Sequence, residues 1–280
     1  MKIFKSILFY FNVLSIDVVL GAMAGMLFFS DVIGVKVSWE VYLLLGMAVW
    51  CIYSIDHLID GRSLKDSHMA FPRHVFHHRY FKTILLTVLV FILIGVLLMM
   101  FLEKLWYLRV PGFSLTALVT VWFYFLFKLG KKAAWLKEIS TASIYVFGIA
   151  LGPVVTKGVH DLIPLFWLFA VLYLGIAILN LFILSYIDAE VDKTEGYGSI
   201  LSLMSKRTLR NSIFWIGTII FITLVMLLFY LPSFFKIHSG ILLLIVGLHL
   251  HYFFSKRQKK EAVRQKLEAS FILPLILLVF

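Results

Sequence analysis

Eight separate stretches of about 20 mostly apolar residues decide what this chain can become. Hydrocarbon offers no water to the backbone, so each stretch must close its N–H and C=O groups internally, as a helix. The stretches fall near 8–30, 39–56, 82–102, 107–127, 139–156, 162–187, 210–231 and 236–254. A ninth, Ser270–Phe280, is about 16 Å long as a helix and contains Pro274, so it is a short span, a tilted half-span or a cut-off one. With 62% apolar and 15% charged residues, the expected fold is an all-α polytopic membrane helical bundle, residues 1–280 forming one domain. Lys2, Lys5 and Ala22-Met23-Ala24 imitate a signal peptide, but Asn12 and Asp17 interrupt its apolar run, and the segment reads as an uncleaved first helix. The single cysteine, Cys51, excludes an internal disulfide.

The net charge of +11 has a sidedness. Of 26 basic residues, 21 lie at the N-terminus and in the loops after the second, fourth, sixth and eighth stretches. The positive-inside rule therefore places the N-terminus on the cytoplasmic side, in what reads as a bacterial cytoplasmic membrane. The basic excess then serves topology and attraction to anionic lipid head groups, not nucleic acid. Oligomeric state leaves no trace in the sequence.

Two of the cytoplasmic helix ends carry the same acidic pair. "YSIDHLIDGRS" holds Asp56 and Asp60, and "SYIDAEVDKTE" holds Asp188 and Asp192, each pair offset by 132 residues from the other. Residues four apart share a helix face. Two bare carboxylates ~6 Å apart repel by roughly 3 kcal/mol at an effective dielectric of about 20. Lysine can relieve that cost, but a hard divalent cation such as Mg²⁺, held by carboxylates and substrate phosphates, relieves it better. Each pair ends the second helix of a four-helix set, which suggests two related four-helix halves, a short last helix and one shared site gripping a diphosphate through Mg²⁺.

These residues carry a resemblance. The chain resembles the UbiA superfamily of intramembrane prenyltransferases, whose members have nine transmembrane helices and two Asp-rich motifs that bind Mg²⁺ and a prenyl diphosphate. "DAEVDKTEGYGS" is similar to the family's second motif, with Asp188, Asp192, Gly196 and Ser199 in place. In the first motif Asp56, Asp60 and Gly61 match, while Ile52 and Tyr53 stand where the family has Asn-Asp. Lys137 in "WLKEIS" resembles the family's lysine at the fifth helix, and Arg73 in "FPRH" resembles the arginine after the first motif. The resemblance implies ionisation of a prenyl diphosphate and transfer of the prenyl group to a lipophilic acceptor. Asp56, Asp60, Asp188 and Asp192 would hold metal, and Arg73, Lys137 and Lys193 would touch the diphosphate. A terpene cyclase built on the same ionisation stays open beside the transferase.

Asp17 stands apart from the motifs. A carboxylate within a span is costly and marks a functional candidate. Two readings stay open for it: a residue that orients an acceptor or takes its proton, and a hydrogen-bonded packing residue. "RHVFHHRY" sets His74, His77 and His78 in an H-x-x-H-H box, but the further boxes of a di-iron desaturase are missing. An "Asp60-Gly61" start of a CDP-alcohol phosphotransferase motif is not continued. From other classes, an ion-coupled transporter fits paired halves and an intramembrane acid, and an inactive scaffold fits the altered first motif.

Overall fold

Each long apolar stretch closes into a helix, and the differences from expectation lie at the ends. The computed structural model describes residues 9–62, 72–129, 134–195, 199–255 and 260–279; the side chains at 60, 62, 127, 129, 134 and 191–195 lie outside that description. The helices are α1 (Ile16–Val32), α2 (Trp39–Arg62), α3 (Pro72–Arg79), α4 (Phe81–Phe101), α5 (Arg109–Leu129), α6 (Ala134–Lys157), α7 (Pro164–Glu195), α8 (Lys206–Tyr230), α9 (Ser233–Phe254) and α10 (Lys260–Ser270). No strand occurs among the described residues. Seven helices, α2 and α4 to α9, are long and apolar enough to cross a membrane. The chain is built as a multi-pass membrane protein.

α2 and α7 outrun the expected ends at 56 and 187 because charged residues end a hydropathy run without ending a helix. Both aspartate pairs therefore stay within helical backbone, in the last turns of α2 and α7. In contrast, the first span is interrupted. Residues 9–13 are helical, and the chain then turns through Ser15, whose φ of 55° is in the left-handed region that only a few per cent of non-glycine residues visit. α1 resumes at Ile16, with Asp17 in its first turn.

α1 runs through the middle of the bundle, packed against α2, α6, α10 and the C-terminal segment. Glycines allow this closeness. A Cβ at Gly25 would stand 2.8 Å from the Tyr173 hydroxyl, and one at Gly21 would stand 3.1 Å from the Phe271 Cβ. Above them Phe28 makes edge-on contacts with Phe29, Phe169 and His238, at ring separations of 5.5, 5.7 and 5.4 Å. His238 is fully buried. Its Nδ1 lies 3.1 Å from the Phe234 carbonyl and its Nε2 2.8 Å from Asp31 Oδ2, tying the end of α1 to the start of α9. α4 sits at the periphery: only Ile84 and Val88 are buried, while Leu86, Leu89, Leu93 and Phe101 face outward. An apolar surface all round a helix is what lipid requires.

The C-terminal stretch departs most from its expected form. α10 is amphipathic, burying Val263, Leu267, Glu268 and Ser270. The following Leu273–Val279 forms a 3₁₀ helix against α1. At 2.0 Å per residue it extends about 14 Å, too short to cross.

Replacing Gly21 by leucine pushes side-chain atoms into the Cβ and backbone of Phe271, neither of which can swing aside. Overpacking of this kind costs about 1–3 kcal/mol, so Gly21→Leu should lower the midpoint of thermal unfolding in detergent by several degrees. Gly148→Leu, with nothing within 4 Å of its new Cβ, should not. Equal midpoints would show that the C-terminal segment does not rest on α1.

Candidate functional site

The aspartate motifs end at the same side of the bundle, the motif end. There four pieces of chain meet: the last turns of α2 and α7, the short helix α3, and α10. A small cavity of about 60 Å³ lies between α3, α7, α10 and the segment before the Ser15 turn, lined by Asn12, Pro72, Arg73, Asp188, Lys260, Arg264 and Gln265, among others.

Pro72 opens α3, where a residue without an N–H costs nothing. The helix then turns Arg73, His74 and His77 inward, all buried. Arg73 pairs with Glu268 of α10 at 3.6 Å, both side chains 8% exposed. Glu268 also accepts from Asn12 Nδ2 at 3.2 Å, and the same amide donates to Asp17 Oδ2 at 2.8 Å. The break at Ser15 thus folds Asn12 back over Asp17. Asp188 lies in a buried ion pair with Arg264, one turn before Glu268 on α10. At the cavity's edge Lys260 pairs with the exposed Glu190 at 2.6 Å. α10 therefore presents Lys260, Arg264 and Glu268, each four residues from the last, on one face toward α7 and α3.

The first motif reaches this site through histidines. Asp56 and Arg264 both lie within electrostatic reach of His74. Burial, aided by the Arg73 charge, pushes His74 down to about 4, while Asp56 pulls the other way. His77 is lowered by burial too, and its Nδ1 lies 2.8 Å from the Arg73 carbonyl. His57 is in ring contact with both, at 5.7 and 5.1 Å, and its Nε2 lies 3.3 Å from Ser15 Oγ. His78 turns away, to the Gly61 carbonyl at 2.9 Å. Burial, with Arg73 beside it, lowers Arg264 to about 9, so it stays charged at neutral pH.

The expected site residues divide accordingly. Arg73, Asp188 and Asp17 gather at or beside the cavity. Lys137 meets Asp56 instead, at 3.2 Å on the exposed rim. Asp60, Asp192 and Lys193 have side chains outside the described residues. In "WLKEIS" it is Glu138, next to Lys137, that turns inward. Its Oε1 accepts from Ser185 Oγ at 3.0 Å and from the Ile200 N–H at 2.7 Å, fastening the chain before and after the second motif. Sequence reasoning missed Arg264 and Glu268. The four-residue spacing of Lys260, Arg264 and Glu268, beside Val263 and Leu267, was the signal available.

Among the described residues no three His, Cys, Asp or Glu side chains gather as a metal-binding group. Asp56 and Asp188, one from each pair, are hard-oxygen donors of the kind Mg²⁺ takes. Each now holds a basic side chain, Lys137 or Arg264, where a divalent cation would provide the neutralising charge. As donors, the two carboxylates fit Mg²⁺ in kind.

Comparison of the chain with protein-family models gave no match, nor did comparison with curated proteins or with solved structures.

His74 has a pH consequence. Between pH 6.5 and about 4 the unfolded chain binds a proton there that the folded protein refuses, so stability is full above pH 6.5 and falls as pH drops through that window. The loss amounts to at most about 3 kcal/mol. His74→Gln should flatten the decline of the thermal midpoint from pH 6.5 to 4.5. An unchanged pH slope would mean that His74 is not held neutral.

Proposed function

We propose that the protein is a Mg²⁺-dependent intramembrane prenyltransferase, which ionises a prenyl diphosphate and transfers the prenyl group to a lipophilic acceptor. The observation that carries this reading is the meeting of Arg73 and Asp188 on one cavity, with Asp56 within electrostatic reach of His74, the residue after Arg73 on α3. Residues far apart in the chain, singled out by their resemblance to the UbiA pattern, come together at one end of an apolar bundle. The reading takes residues 1–280 as one domain of nine membrane helices, in two related four-helix halves with a short last one. The N-terminus and both motifs face the cytoplasm of a bacterial cell.

Asp56, Asp60, Asp188 and Asp192 would hold Mg²⁺, which would supply Lewis-acid stabilisation of the negative charge on the departing diphosphate. Arg73, already desolvated and paired with Glu268, would turn its guanidinium to the phosphate oxygens. Lys137 and Lys193 add positive charge at the rim. Asp17, steered by Asn12 and placed beside Glu268, orients the acceptor or takes its proton. The prenyl chain lies along the apolar helices, where water is scarce.

A second reading, ion-coupled transport, draws on the broken first helix, whose interruption sits beside Asp17 and Glu268 in the manner of discontinuous transporter helices. The two readings part in one assay. Purified protein given prenyl diphosphates of several lengths should release diphosphate only with Mg²⁺, and Asp188→Asn should lower release at least a hundredfold per folded molecule, the folded fraction being measured separately. A cyclic hydrocarbon among the products would identify a cyclase. Full activity in Asp188→Asn would end the proposal, and substrate flux in sealed vesicles without diphosphate release would replace it by transport.

A further inference from the structure

α10 brings a cation to Asp188, a carboxylate of the second motif that lines the cavity. The Arg264 side chain is 15% exposed and that of Asp188 10%. Both line the cavity, and Arg73 lies close enough to Arg264 for the two like charges to repel. Arg73 has its own partner in Glu268, one turn further along the same helix. Charge at the cavity is balanced in a crossed pattern, with each cavity guanidinium on a carboxylate across the gap between α10 and its neighbours. Lys260–Glu190 fastens the start of α10 to α7 at the cavity's edge. The cavity left between them, about 60 Å³, is far below the ≈ 300–1,000 Å³ of a ligand-filled pocket.

We infer that Arg264 is an exchangeable counter-ion. It neutralises Asp188 while the site holds no divalent cation, and when such a cation takes Asp188 the released guanidinium joins Arg73 on the phosphate oxygens of the substrate. A buried carboxylate cannot stand uncompensated, so removing one cation requires another. A guanidinium suits the exchange because its planar fork matches carboxylate and phosphate alike. Metal and diphosphate would thereby depend on each other, the metal freeing an anion-binding group and the anion holding that group away from the metal's ligand. The inference rests on the transferase reading and adds to it a diphosphate ligand outside both aspartate motifs.

The test is binding, not turnover. The full chain in detergent is titrated with Mn²⁺ alone, followed by the electron paramagnetic resonance of free Mn²⁺, and separately with Mn²⁺-diphosphate. Arg264→Gln should bind Mn²⁺ alone at least tenfold more tightly than wild type, and adding Asp188→Asn should erase that gain. The same variant should bind Mn²⁺-diphosphate at least fivefold more weakly. Opposite signs mark exchange, since a merely structural arginine would weaken both. If Arg264→Gln does not fold, Glu190→Gln serves instead: it loosens α10 from an exposed position off the cavity, and Mn²⁺ affinity should rise by a smaller factor. Wild-type affinity for Mn²⁺ in the folded variant would overturn the exchange and leave the transferase reading standing. A wild-type protein that binds no Mn²⁺-diphosphate at all would overturn both.

Discussion

Two guanidiniums are buried side by side at the motif end of this bundle, and the arrangement around them follows from that. Arg73 and Arg264 repel one another and have each lost water. Their compensation comes from Glu268 and Asp188, so the carboxylates must come from helices that converge at this point. Breaking one such pair by removing a partner commonly costs 3–5 kcal/mol. The same accounting keeps the neighbouring imidazoles neutral: with two fixed positive charges close by and little solvent, His74 cannot afford a third.

Beneath this charged end the bundle is held by close approach. α1 carries Gly21 and Gly25 where Phe271 and the Tyr173 hydroxyl rest on its backbone. Large rings are thus admitted to the centre of the bundle only because the helix they press upon has no side chain there. Lipid-facing α4 needs no such fit and shows none, its outward leucines serving solvation by hydrocarbon alone.

What the sequence disclosed follows from which forces act locally. Hydropathy located seven of the eight long spans among the described residues, since the bilayer acts on each segment independently, and it missed the break at Ser15 in the first. It stopped short at Asp56 and Ile187 because it measures polarity and not helix continuity. The acidic pairs were legible as i, i+4 faces, yet their partners were not. Lys137 was expected on a diphosphate and sits on Asp56, while its neighbour Glu138 makes the buried contacts. Which of two adjacent residues turns inward is settled by the helix opposite, and no local pattern encodes it. α10 was overlooked for a similar reason: an 11-residue amphipathic helix is too short and too charged for a scan tuned to membrane spans. The left-handed Ser15 has no signature at all, being neither glycine nor asparagine.

The His238–Asp31 pair at the far end of the bundle carries one more consequence. One ring is held at both edges, Nδ1 at 3.1 Å from the Phe234 carbonyl and Nε2 at 2.8 Å from Asp31 Oδ2, with the rings of Phe28 and Phe169 against it. The imidazole cannot swing to another rotamer without giving up contacts on every side, so it works as a peg that sets the register of the last turn of α1 against the first turns of α9. A helix interrupted at its start is in this way pinned at its finish.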